Sequence, residues 1–125
     1  TSPIPTDTEP RRHEMGIAEG ILSSSVTAAE GAGAARINEV DVTVGVLTEV
    51  MEDALQFAWE AIRTGTIAES AVLNVTMLEA RSQCADCGHK WTHDRYSGAQ
   101  CPSCSGYLIQ LLTGRELKID SIDID

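Results

Sequence analysis

A chain of 125 residues with 9 basic and 19 acidic side chains carries a formal net charge of −10. The length suits one ordinary domain or two very small ones, and the acidic balance excludes a phosphate-binding footprint, so no nucleic-acid partner is expected. No apolar run approaches the roughly 20 residues of a membrane helix, and the N-terminal tail has no apolar segment of a secretory signal. The expectation is a cytoplasmic protein without a membrane partner, suited to cations or basic partner surfaces. In that reducing compartment the four cysteines read as metal ligands rather than disulfides. The aromatic residues are only Phe57, Trp59, Trp91, Tyr96 and Tyr107, so the core is expected to be aliphatic.

Residues 1–12, "TSPIPTDTEPRR", hold three of the four prolines and little to bury, which reads as a disordered or extended arm. From His13 to about Ala32 apolar residues recur at helical spacing, with Ile17, Ile21 and Val26 flanked by Met15, Ala18, Leu22 and Ala29. "GAGAA" stops that helix. Val40, Val42, Val44 and Val46 then alternate with polar or small residues, the pattern of a half-buried strand. Thr48 is a candidate N-cap for a second helix whose seam is Met51, Leu55, Ala58 and Ile62, closed by Gly65. A second strand has Ala71, Leu73, Val75 and Met77 on one side. The last segment reads as two extended runs around Thr113-Gly114, with a change of phase near Asp120-Ser121 that suggests a bulge. The order is that of an α+β fold: two helices packed on a small three-stranded sheet, whose third strand comes from the chain end, with an inserted four-cysteine zinc-ribbon domain. The division expected is an arm (1–12), an α+β domain (13–81 plus 108–125) and a zinc-binding domain (82–107).

"CADCGHKWTHDRYSGAQCPSC" carries the most specific signal. Cys84 and Cys87 form one C-x-x-C and Cys101 and Cys104 another. Each pair brings two thiolates to one metal from a single tight turn, and two turns complete a tetrahedron. Gly88 and Gly106 lie just past the pairs, where a turn often needs positive φ. Four thiolates suit a structural Zn(II), with iron and redox-active thiols as rivals. His89 and His93 read as hairpin residues, since four cysteines saturate the metal. Trp91 and Tyr96 read as the insert's miniature core.

His13 and Glu14 stand together where the polar tail meets the apolar run. From the residues alone they are either the charged first turn of a helix or part of a metal site. Glu14 suits the positive end of a helix dipole. His13 with backbone amides offers the nitrogen-rich, square-planar set that Ni(II) prefers.

Taken together, "HEMGIAEGIL" opening a helix, "VDVTVGVLTEV", "ALQFAWEAIRTGTIAESAVL", the two C-x-x-C pairs and the ending "GRELKIDSIDID" resemble the HypA/HybF family over about residues 13–125. These are nickel metallochaperones of NiFe-hydrogenase maturation. The resemblance implies a non-catalytic protein with transient Ni(II) at His13, Glu14 joining through its backbone amide and also tuning the site, and structural Zn(II) on Cys84, Cys87, Cys101 and Cys104. It implies as partners the NiFe-hydrogenase large subunit, a nickel-handling maturation GTPase and, for some members, the urease machinery. The chain departs from the family at Gly16, usually Ser, at Val46, often Glu, and at Met51, where an acid is common. Arg12 stands at the methionine that opens the family motif. The alternative reading is an acidic zinc-ribbon adaptor that binds protein or nucleic acid without nickel.

Overall fold

The computed structural model describes residues 8–125, with side chains from His13 onward. Helix α1 spans Thr8–Gly31, so the last five residues of the expected arm are helical and His13-Glu14 lie inside the helix rather than at its start. Pro10 is tolerated there because the first N–H groups of a helix have no intrahelical partner. Residues 1–7 of the expected arm lie outside the described residues.

One stripe of α1 is buried: Glu14, Ala18, Ile21, Ser25 and Ala29 recur every three or four positions. The helix ends in a Schellman motif. Gly33 takes φ +75°, its N–H reaches Glu30 O, and Ala34 N–H reaches Ala29 O.

Strand β1 is Ile37–Gly45, where Val40, Val42 and Val44 are buried as their alternation requires, and Ile37, in the opposite phase, is buried as well. A short 3-10 turn, Val46–Thr48, follows and ends with Glu49 at φ 64°. Helix α2 is Glu52–Ile62. Its N-cap is Met51, not Thr48 as expected. The left-handed Glu49 interrupts the path from Thr48 to the helix, and the Thr48 hydroxyl instead donates to Gly45 O at 2.7 Å. Met51 also leaves the expected apolar seam: it is 57% exposed, and Trp59 joins Leu55 and Ala58 in the core. Trp59 Nε1 and Arg63 Nη1 both donate to Ala71 O, at 2.9 and 2.6 Å, and Gln56 donates to Leu73 O at 2.6 Å. These bonds tie α2 to the beginning of β2 (Val72–Leu78).

The remaining strands are β3 (Ala80–Cys84), β4 (Lys90–His93), β5 (Ile109–Thr113) and β6 (Leu117–Ile124). One sheet has the order β2-β1-β6, which places the C-terminal strand third, as the sequence predicts. Along β6 the half-buried residues are Ile119, then Ile122 and Ile124, so the phase does change across Asp120-Ser121. A second sheet, β4-β3-β5, has Cys84 at the end of its central strand; Ser82 faces Trp91 on one side and Leu111 on the other.

The chain forms two compact units. The first contains α1, β1 as far as Val42, Val50–Thr76 and Ile119–Asp125; the second contains Thr43–Glu49 and Met77–Lys118. The first unit holds the aliphatic core, in which Trp59 is the largest fully buried side chain. In the second, Gly45 lies against the Gly114 backbone so closely that a Cβ would collide with it. Leu47 N–H bonds Gly114 O at 2.8 Å and Gly45 N–H bonds Glu116 O at 2.7 Å. The turn read at Thr113-Gly114 is real, with Gly114 at φ 129°.

Candidate metal centre

Cys84 closes β3, and its carbonyl accepts the N–H of Gly88 at 2.9 Å, which folds Cys84–Gly88 into a tight turn. Gly88 takes φ +81°, as expected of the residue after the pair. Cys101–Ser105 repeats the turn, with Ser105 N–H on Cys101 O at 2.9 Å. Here the left-handed residue is Ser105 (φ 65°), not Gly106. Gly106 lies instead in close quarters: a Cβ there would sit 2.8 Å from Asp86 Oδ2 and 3.2 Å from Cys104 Sγ. The two turns are fastened to their surroundings by Cys84 N–H on His89 O, Ala85 N–H on Leu108 O and Cys101 N–H on Gly106 O.

This geometry brings all four sulfurs within 4.8 Å of one another. The Cys84–Cys104 and Cys87–Cys101 separations are both 3.6 Å. A disulfide bond is about 2.05 Å long, whereas a zinc tetrahedron with Zn–S of about 2.3 Å has edges of about 3.8 Å. The donor set fits a single tetrahedral ion. Cys84 and Cys101 are buried and Cys87 and Cys104 exposed.

Cys101 Sγ accepts the N–H groups of Ser103 at 3.3 Å and Cys104 at 3.4 Å. Burial raises the Cys101 thiol, but those N–H bonds and the contact with Cys87 outweigh it and leave it lowered to about 7. The Gly106 amide lowers the Cys104 thiol, yet the Cys84 sulfur, burial and the other thiols push it up to about 12. Crowded thiols share few negative charges among themselves, and a bound cation removes that restriction by replacing their protons.

Neither nearby histidine belongs to the cluster. His93 Nδ1 donates to Asp94 O at 2.6 Å, which leaves Nε2 to accept the hydroxyl of buried Ser82 at 2.8 Å. His89 stacks on Trp91 with ring centroids 5.8 Å apart. The expected miniature core does not form around Tyr96, which is 78% exposed beneath the Arg95 guanidinium. Arg95 itself pairs with Glu49 at 3.0 Å.

The other sequence-predicted pair is divided by its surroundings. His13 is exposed, whereas Glu14 is fully buried with Oε2 accepting Met51 N–H at 2.8 Å. The sequence reading missed that burial. The signal was available, because Glu14 lies four residues before Ala18 and seven before Ile21, on the apolar stripe.

A family model described as "Hydrogenase/urease nickel incorporation, metallochaperone, hypA" matches residues 12–124. A hydrogenase maturation factor of Rhizobium leguminosarum bv. viciae, HypA, is 38% identical over 112 residues, covering 90% of this chain and 98% of its own. The HypA of Streptomyces avermitilis is 35% identical over 111 residues, covering 88% and 85% respectively. The solution structure of the nickel metallochaperone HypA from Helicobacter pylori has the same fold, with a TM-score of 0.63 at 19% identity, covering 89% of this chain and 96% of that one.

Proposed function

The chain belongs to the HypA family of hydrogenase maturation factors, and on that premise we propose that it carries Ni(II) at His13 and Glu14 and holds Zn(II) at Cys84, Cys87, Cys101 and Cys104. The observation that supports this division most is the closed thiolate cluster, which leaves the exposed His13 as the open position for a cargo ion. Four thiolates occupy every site of a tetrahedral ion, so that centre has no position for exchange. When bound, zinc supplies a cross-link between the turns Cys84–Gly88 and Cys101–Ser105. Those turns lie within residues 82–107, the segment we assign as the zinc-binding domain. The nickel-handling part comprises residues 13–81 with 108–125.

His13 offers one imidazole, too little for a square-planar ion, so backbone amides complete the set, that of Glu14 among them. These two residues are the sixth and seventh of α1, past the four N–H groups that a helix leaves free. Nickel loading therefore unwinds the helix that precedes them. That cost keeps affinity moderate, which suits a chaperone whose cargo must pass to a recipient's ligands. The recipients we assign are the NiFe-hydrogenase large subunit and its nickel-handling GTPase, with the urease machinery as a further destination. The chain works by binding and release and performs no catalysis. It acts in the cytoplasm, in keeping with the lack, among the described residues, of any helix long and apolar enough to cross a membrane.

Titrating Ni(II) into the zinc-loaded chain tests the assignment. The expected result is a square-planar absorption band that His13→Ala abolishes while zinc content and far-UV dichroism stay unchanged. An undiminished band in the His13→Ala variant refutes it, and the lack of a band in both chains leaves the zinc-ribbon adaptor reading.

A further inference from the structure

Glu14 is the only acid buried among the described residues. Its Oε2 accepts Met51 N–H at 2.8 Å, while Oε1, equally shut off from solvent, has no partner among the described residues. A buried carboxylate with one bond is costly, and it persists only where that bond and the local field favour it. Both conditions are met at the start of α2. Met51 is the N-cap residue, with φ −92° and ψ 122°, and its side chain has no oxygen to cap the helix. Glu14 supplies from α1 the acceptor that this end of α2 lacks, at a helix terminus where an acidic side chain is favoured. The neighbouring Glu52 and Asp53 are exposed and lie in the first turn of α2 itself, so they join nothing to α1.

We propose that the Glu14 carboxylate is a positioning latch for nickel loading and not a nickel ligand: it pins α1 at residue 14 to the N-terminus of α2. The latch rests on the nickel reading above. With residue 14 held, unwinding stops at His13, and the amides of His13 and Glu14 are released beside an imidazole whose position is fixed. If the carboxylate bound nickel instead, it would have to leave the interior and abandon Met51 N–H.

The test is nickel calorimetry on the full, zinc-loaded chain carrying Glu14→Gln, Glu14→Ala, Met51→Pro or Glu14→Ala with Met51→Pro. Glutamine keeps an acceptor for Met51 N–H. Proline removes the donor at a largely exposed side chain, and φ −92° needs only modest adjustment for its ring. The latch predicts near-native affinity for Glu14→Gln and about tenfold weaker binding for Glu14→Ala and for Met51→Pro. The double variant should be no weaker than either single one, because both break the same bond. Loss of affinity in Glu14→Gln with none in Met51→Pro would make the carboxylate a ligand and overturn the proposal. Unchanged affinity in every variant, with only lowered thermal stability, would reduce Glu14 to a structural cap and also overturn it. The outcome for His13→Ala is separate: native nickel binding there removes the nickel site itself.

Discussion

At the cysteine cluster, four ligands come from two short turns that repeat one hydrogen-bond pattern, and each pair of sulfurs is positioned by residues next to it in sequence. In the second turn of α1 a single imidazole stands exposed, and its neighbour is fixed by the N-cap of a helix 37 positions along the chain. The first arrangement is closed and self-contained. The second depends on the fold of the unit that carries it. On the proposed function, local construction suits the metal that stays, and an open ligand on a helix that unwinds suits the metal that leaves.

The largest effect that separates the two regions is removal of the thiolate set. Structural zinc contributes apparent binding free energies of about 10–16 kcal/mol in small peptides. Cys84→Ala with Cys101→Ala is expected to abolish stoichiometric zinc and disperse the order of Cys84–Leu108 in amide spectra, while the α1 and α2 resonances stay native. Collapse of both sets together would mean that the two regions do not fold as separately as their construction implies.

Next in size are the glycines of the turns. Gly88→Ala places a Cβ at φ +81° and should cost about 1 kcal/mol of stability in the second unit, read as easier zinc release to a chelator. Gly106→Ala should also ease release, by displacing Asp86 and Cys104. Nickel affinity should not change in either variant, and a change would tie the two metals together.

The smallest effect concerns the segment before His13. Removing residues 1–12 places an amine at His13 and, on the proposed function, abolishes the helical turns that loading must otherwise unwind. Nickel binding is expected to tighten, and calorimetry giving equal affinities with and without the segment would show that it imposes no cost.

These regions also differ in how far the sequence discloses them. The cysteine spacing is local, so the metal cluster is legible from four residues, and only the detail of Ser105 taking the left-handed conformation in place of Gly106 escapes. The alternation of Val40, Val42 and Val44 and the C-terminal third strand are equally legible, because a half-buried strand leaves its period in the residues. The start of α2 is not. Thr48 has a good capping side chain, but Glu49 in the left-handed region turns the chain before the helix begins, and Met51 takes the cap position. The partner of Glu14 is hidden for the same kind of reason. Spacing from Ala18 and Ile21 puts Glu14 on the buried stripe, but Met51 N–H is a backbone group that no side-chain pattern reports. What local spacing sets can be read from local spacing; what a distant backbone amide sets requires the fold.

The central claim is that cargo and structural metal use different ligands. Nickel K-edge X-ray absorption of the zinc-loaded chain with one equivalent of Ni(II) tests it most directly. The account predicts a first shell of nitrogen and oxygen alone, with imidazole scattering that His13→Ala removes. A sulfur shell around nickel would contradict it, since the only thiolates are Cys84, Cys87, Cys101 and Cys104.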